Sequence, residues 1–181
     1  MRIISGDLKG RRLHPPINLE VRPTTDFARE SLFNILRGRI DFEQVSVLDL
    51  FSGTGAVSLE FISRGAKHVT SVDANPRCID FLKRTCAEFG VDNVFALRND
   101  VFNFLGRSHQ KFDVVFADPP YDLKQFDIIP DLVLERFVVE GGLFVLEHSK
   151  ERDFRQNPCF TEHRRYGKVN FSFFYKNTVS I

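Results

Sequence analysis

Asp118-Pro119-Pro120-Tyr121 brings a carboxylate, a stiff turn and an aromatic ring together within four positions. An amino group on a heteroaromatic ring is a weak nucleophile, because its lone pair is delocalised into the ring. Two acceptors aimed at its two N–H groups would turn the nitrogen toward tetrahedral geometry and bare that lone pair. The Asp118 carboxylate is one acceptor and the Pro119 carbonyl the natural second. Prolines carry no N–H and fix φ, so this turn is rigid and rich in acceptors. Tyr121 offers a face on which a flat ring can stack. Asp118 can also take a proton as the amine becomes cationic, a general-base role. In-line transfer to such a nitrogen gains mostly from orientation, which a rigid turn provides.

A second group of residues has the types and spacing of a nucleoside site. Gly53 and Gly55 follow the apolar run Val45–Leu50. Glycine there lets the backbone pass close to a ligand. Asp73 stands eighteen residues after Gly55, where a carboxylate can accept from both hydroxyls of a ribose. Asp100 stands where it can meet an adenine amino group, and Asp49 lies just before the turn. Phe51, Thr54, Ala74 and Val101 are the expected neighbours of these groups. A dinucleotide loop would want a third Gly or Ala where Ser58 stands, and no pyrophosphate-clamping signal remains. The three acids suit a cationic adenosine ligand, and S-adenosylmethionine is the expected cofactor. No metal is required.

These residues need a frame. Strand-length apolar runs alternate with helix-like stretches, the pattern of a parallel sheet with crossover helices. Strands are expected at Val45–Leu50, His68–Asp73, Asn93–Arg98, Phe112–Ala117 and Gly142–Glu147. Helices are expected over Ala56–Arg64, from a cap at Asn75 to Phe89 with Gly90 behind it, and over Leu123–Phe137. Thr161–Tyr166 and Val169–Tyr175 read as a hairpin turning at Gly167-Lys168. In the first forty residues, strand-like pieces at Arg2–Ser5 and Arg11–His14 flank a turn, and Thr24 or Thr25 caps a helix over Asp26–Leu36. That part is an extension without a core of its own. In an open sheet of this kind ligands sit beyond the carboxyl ends of the strands, where both residue groups fall.

Composition narrows the class. The chain has 181 residues, 43% of them hydrophobic, which suits one α/β domain with a short appendage. Its 20 Phe, with no Trp, are expected mostly in the core. No apolar run approaches a membrane span, and Met1–Gly6 carries no apolar signal stretch. Cys78, Cys86 and Cys159 lack metal-ligand spacing and read as reduced thiols of a cytoplasmic protein. The net charge of +1 is unevenly spread. Residues 1–40 hold eight Lys and Arg against four acids, residues 150–181 seven against three, and the middle ten against seventeen. Basic flanks suit phosphate contacts and an acidic centre suits a cationic ligand, although solvated surface charge gives the same pattern. Lys9, Arg11 and Arg12 would make a compact phosphate contact. Arg22 and Thr24, ahead of the helix start, would close over the cofactor's amino-acid end. Arg29 and Glu30 read as a pair on a solvated helix face. Arg164, Arg165 and Lys168 are a second RNA contact or, equally, edge-strand protection.

The wider pattern resembles a known family. Met1-Arg2-Ile3-Ile4-Ser5-Gly6, Lys9-Gly10-Arg11, Arg22-Pro23-Thr24-Thr25 and Arg29–Leu36 look like the opening of the bacterial small-subunit ribosomal RNA guanine-N2 methyltransferases of the RsmD type. Leu48–Gly55, Ser63-Arg64-Gly65-Ala66, Asp118–Tyr121 and Arg165–Val169 continue the likeness along essentially the whole chain. The resemblance implies a class I, Rossmann-like fold whose seven-stranded, mostly parallel sheet has an antiparallel last strand. Residues 1–40 would be a basic extension contacting RNA and cofactor, and 41–181 the methyltransferase domain. It implies a monomer that methylates guanine N2 of 16S rRNA in a small-subunit assembly particle, with Asp118 and Tyr121 holding the base. Three rivals remain. An adenine-N6 methyltransferase shares the tetrapeptide but usually carries a target-recognition region, for which little chain is left. A non-catalytic RNA-binding protein of the same fold leaves Asp118 and Tyr121 idle. A nicotinamide dehydrogenase leaves the proline turn unexplained.

Overall fold

The computed structural model describes residues 1–16, 19 and 25–177. The sheet comprises β1 (Ser46–Leu50), β2 (His68–Asp73), β3 (Val94–Arg98), β4 (Phe112–Ala117), β5 (Val138–His148), β6 (Phe160–Tyr166) and β7 (Val169–Tyr175). Their spatial order is β3-β2-β1-β4-β5-β7-β6. The β1–β2, β1–β4, β2–β3 and β4–β5 pairs are parallel. The last strand, β7, runs antiparallel to both neighbours. The seven-stranded, mostly parallel sheet with an antiparallel last strand is therefore as expected.

Alternation along the strands divides the core. Leu48, Leu50, Val115, Ala117, Phe144 and Leu146 face α4 (Val101–Arg107) and α5 (Ile129–Arg136). Val47, Val114, Phe116, Val145, Phe171 and Phe173 face α1 (Asp26–Leu36) and α2 (Ala56–Ser63). Side chains two apart in a strand share a face, so Asp49 of β1 and Glu147 of β5 lie on the second side. Here the burial changes from apolar to acidic, at the carboxyl ends of the strands.

The helix signals behave locally. The Thr25 hydroxyl accepts from Ala28 N at the start of α1. Asn75 caps α3 (Pro76–Phe89), with Pro76 in its first turn and Gly90 left-handed behind it. The helix expected from Leu123 instead begins at Ile129, with Pro130 in its first turn. Proline needs no intrahelical partner there, so it opens the helix rather than sitting inside it. The helix α4 was not foreseen. Asp100 caps it by accepting from Asn103 N at 2.9 Å.

The extension is welded to the domain. Instead of two strand pieces, residues 2 and 12 make a single bridge. Ile3, Leu8 and Leu13 pack against Leu59, Ile79 and Leu82 of α2 and α3. The buried Glu60 carboxylate accepts from Ile4 N at 2.8 Å and Ser5 N at 3.1 Å. Arg64 pairs with it at 2.7 Å and Arg29 at 3.9 Å. Arg29 is thus not on a solvated face. It is fully buried, bonded to Asp26 and the Arg2 carbonyl, because residues 1–5 cover that side of α1. Gly6 presses so closely on α2 that a Cβ there would lie 1.6 Å from the Ser63 carbonyl oxygen.

Candidate active site

A cavity of about 700 Å³ opens along the carboxyl ends of the strands. Besides Asp122 in the loop after β4, its acidic wall residues follow the strand order. Asp100 stands beyond β3, Asp73 at the end of β2, Asp49 on β1, Asp118 beyond β4 and Glu147 on β5. Val169 of β7 closes the far end.

The glycine turn forms one half. After Leu50 the chain passes through Phe51, a non-glycine residue in the left-handed region at φ 59°. Such strain persists only where the surroundings over-determine it. Here Asp73 does so, its Oδ2 accepting from Gly53 N and its Oδ1 from Asn75 N, both at 2.8 Å. Nothing lies within 4 Å of where a Gly53 Cβ would be, so the backbone is bared to the cavity. Gly55 does not line it. Gly55 caps α2 with φ 77°, and a Cβ there would strike Leu82. Phe51, Gly53, Thr54, Ala74 and Val101 do line it, as do Asp49, Asp73 and Asp100. Asp49 is buried and accepts from Ser58 Oγ, which also meets Ser71 Oγ at 2.7 Å. Burial pushes its carboxyl from 3.8 up to about 7, opposed by the Ser58 hydrogen bond and aided by the Asp73 charge.

The proline turn forms the other half. Asp118 N donates to Leu50 O at 3.3 Å, tying the corner to the glycine turn. Leu123 N donates to Pro120 O, and Arg152 Nη2 to the Tyr121 carbonyl at 3.2 Å. Asp118, Pro119 and Tyr121 all line the cavity. The Tyr121 hydroxyl donates to Glu147 Oε1 at 3.3 Å.

Several wall residues were not singled out from the sequence as site residues. Thr25 and Asn75 had only a capping role, and Ser52, Glu147 and Val169 had none. Ser52 Oγ is buried without a hydrogen-bond partner. Glu147 is revealed only by strand register. Ala117 pairs with Leu146, the last pair of the β4–β5 ladder, so Asp118 and Glu147 directly follow a paired position.

The expected RNA contacts fall in two places. Arg164, Arg165 and Lys168 are exposed on the terminal hairpin. Arg164 pairs with Glu162, and Arg165 Nε donates to Gly167 O at 3.1 Å. Lys168 directly precedes the wall residue Val169. Lys9, Arg11 and Arg12 are exposed but line no part of the cavity, and the Arg11 guanidinium sits 4.7 Å over the Phe89 ring. Arg22 and Thr24 lie outside the described residues. The three cysteines are free, and burial pushes the Cys78 and Cys86 thiols up to about 11. Among the described residues no cluster of His, Cys, Asp and Glu could hold a metal ion, and no helix is long and apolar enough to cross a membrane.

This strand order, with a glycine turn after the first strand and a proline turn after the fourth, defines a class I methyltransferase. The same fold appears in the T. Thermophilus 16S rRNA N2 G1207 methyltransferase, solved with AdoMet and guanosine. The TM-score is 0.66 at 23% identity, over 85% of this chain and 44% of that one. A nearer structure is that of yhhF from Escherichia coli, described as a candidate methyltransferase. It has a TM-score of 0.86 at 27% identity and covers 98% of each chain. Residues 1–175 match the family model described as conserved hypothetical protein 95. Ribosomal RNA small subunit methyltransferase D of Buchnera aphidicola subsp. Baizongia pistaciae is 35% identical over 153 residues, 82% of this chain and 76% of that one. The chain belongs to this RsmD-type family.

Proposed function

We propose that the protein transfers a methyl group from S-adenosylmethionine to the exocyclic N2 of a guanine in small-subunit (16S) ribosomal RNA. The observation that carries this reading is that the rigid Asp118–Tyr121 corner and the acid-lined glycine turn open on one cavity.

The residues present fit the cofactor. Bare backbone at Gly53 leaves room for close approach, and the partnerless Ser52 Oγ leaves a polar atom for a ligand to satisfy. Asp73, braced at both oxygens, keeps lone pairs for ribose hydroxyls. Asp100 suits an adenine amine, and Asp49 suits an ammonium or sulfonium. Arg22 and Thr24 are proposed to close over the amino-acid end, next to the wall residue Thr25. The cofactor supplies an electrophilic methyl group on a positively charged sulfur.

The chain's own residues supply orientation. The Asp118 carboxylate and Pro119 carbonyl accept the two N–H groups of the amine, so its lone pair points along the transfer axis. Tyr121 stacks against the base. As the new N–C bond forms and the methyl–sulfur bond breaks, Asp118 accepts the proton the nitrogen must lose. The base has to leave its stack to reach this depth. Arg164, Arg165 and Lys168 are proposed to hold the flanking phosphates, with Lys9, Arg11 and Arg12 as a more distant contact. Beside the hairpin, the exposed Phe27 ring meets Tyr166 edge-on at 6.0 Å. Residues 1–40 serve as the RNA- and cofactor-facing extension of the transferase domain, 41–181. The protein is proposed to act as a cytoplasmic monomer on an assembling small subunit.

Tritiated cofactor offered with purified small subunits, naked rRNA or duplex DNA tests the reading. Label in RNA that digests to N2-methylguanosine is the expected result. Label in DNA without label in RNA, or in adenine, would overturn it.

A further inference from the structure

Both guanine and adenine carry an exocyclic amine that the Asp118–Tyr121 turn could orient, so that turn alone does not choose between them. The choice needs a group placed beside the amine, along the same edge of the base. We propose that Glu147 makes that choice by accepting the N1–H of guanine. This rests on the guanine reading above and extends it to how the base is recognised.

Three observations carry the proposal. First, Phe116 pairs with Val145 and Ala117 with Leu146 in parallel register, so Asp118 and Glu147 come next on adjacent chain segments. Residues two apart in a strand share a face, which puts the Glu147 carboxylate on the side of Val145, and Asp118, the first residue after β4, lines the same cavity. Neighbouring strands are about 4.8 Å apart, close enough for side chains on both to converge on one base edge. Second, Glu147 is 4% exposed yet its residue lines the cavity. A carboxylate in so dry a place needs hydrogen-bond donors, and the Tyr121 hydroxyl supplies one at 3.3 Å. Third, Val169 of β7, the strand beside β5, also lines the cavity, so an apolar wall continues past Glu147.

The chemistry of the two bases then separates them. In guanine the atom next to the C2 amine on the Watson–Crick edge is N1, which carries a hydrogen. With the amine hydrogens on Asp118 and Pro119, that N1–H is the next donor along the edge, and Glu147 is the next acceptor along the strand ends. In adenine the atom next to the C6 amine is N1 without a hydrogen, and its lone pair would face the carboxylate. A site that presents an acceptor to a donor rejects the analogue lacking it, because a carboxylate oxygen would then meet the N1 lone pair instead of a hydrogen.

The test compares guanine with 2-aminopurine, which keeps the C2 amine and the stacking surface but has a bare N1. Small-subunit particles are built with either base at the modified position, and transfer is measured as kcat/KM. The unaltered protein is expected to prefer guanine by about 10²-fold or more. Glu147→Ala should collapse that preference to within about threefold of unity. Glu147→Gln, whose carbonyl keeps one acceptor, should restore part of it. S-adenosylmethionine affinity and melting temperature are followed in each variant to report folding. Suppose instead that Glu147 only braces Tyr121. Both substrates would then fall by one factor, Tyr121→Phe would do the same, and the proposal would be overturned. Equal use of the two bases by the unaltered protein would overturn it as well. Failure of the guanine reading looks different: the unaltered protein would methylate no guanine in the particle, and this inference would go with it.

Discussion

The glycine-turn half of the cavity and the proline-turn half are both acidic, but they are held in different ways. On the cofactor side each carboxylate has a protein partner close in sequence. Asp73 bonds Gly53 N and Asn75 N, Asp49 takes the Ser58 hydroxyl, and Asp100 takes Asn103 N. On the target side the wall comes from Thr25, Tyr121, Glu147 and Val169, which are far apart in the chain. Their arrangement depends on sheet register and on the docked extension. A pocket half built from local hydrogen bonds is preorganised by its own loops, whereas one built from distant segments is only as good as the sheet beneath it.

The contrast can be broken from either side. Asp118→Ala should have the largest effect, with kcat falling by about 10²–10⁴-fold. Cofactor affinity by calorimetry should stay within about twofold, because the cofactor half is held without it; a matching loss of affinity would mean that the halves are not separable. Asp73→Ala should do the converse. It removes the acceptor that braces the turn and faces the ribose, and a charge-assisted hydrogen bond contributes about 1.5–3 kcal/mol. Kd for S-adenosylmethionine should rise roughly 10²-fold, with Asp73→Asn intermediate.

A pH titration sharpens the comparison further. Burial holds the Asp49 carboxyl at about 7, so below that pH it carries a proton in the free protein. A fixed positive charge on the ligand favours the ionised form. Binding therefore expels a proton, and affinity should rise with pH from 5.5 to 7.5, by up to roughly tenfold per unit below the midpoint. Calorimetry in two buffers of different ionisation enthalpy counts that proton, and Asp49→Asn should abolish both effects. The smallest change is expected at the rim. Replacing Arg165 and Lys168 by Ala should weaken RNA binding a few-fold and lower the salt slope by about one per lost phosphate contact, with cofactor affinity unmoved.

The same division explains what could be read from the sequence. The strand–glycine turn–helix of the cofactor half, the Asn75 cap and the Gly90 stop are short-range signals, and all form where expected. Helix α4 escaped because it is seven residues long and contains Gly106, which hides its periodicity. α5 starts later than the apolar pattern from Leu123 suggests, because Pro130 opens a helix instead of riding within one. Arg29 looked like a surface residue because nothing in α1 reveals that residues 1–5 fold back over it. Glu147 needed the β4–β5 register, which a single strand's pattern does not contain. Register, not propensity, was the missing quantity.

Gly6 carries a warning for anyone reading a saturation-mutagenesis map of this chain. The left-handed backbone there, and the Ser63 carbonyl where a methyl would have to go, exclude the other nineteen amino acids. Such a map would show an intolerant column resembling that of a catalytic group, although Gly6 is not part of the cavity wall. Intolerance at this position reports a seam between two parts of the architecture, and a folding measurement on the purified variants would tell it apart from loss of chemistry.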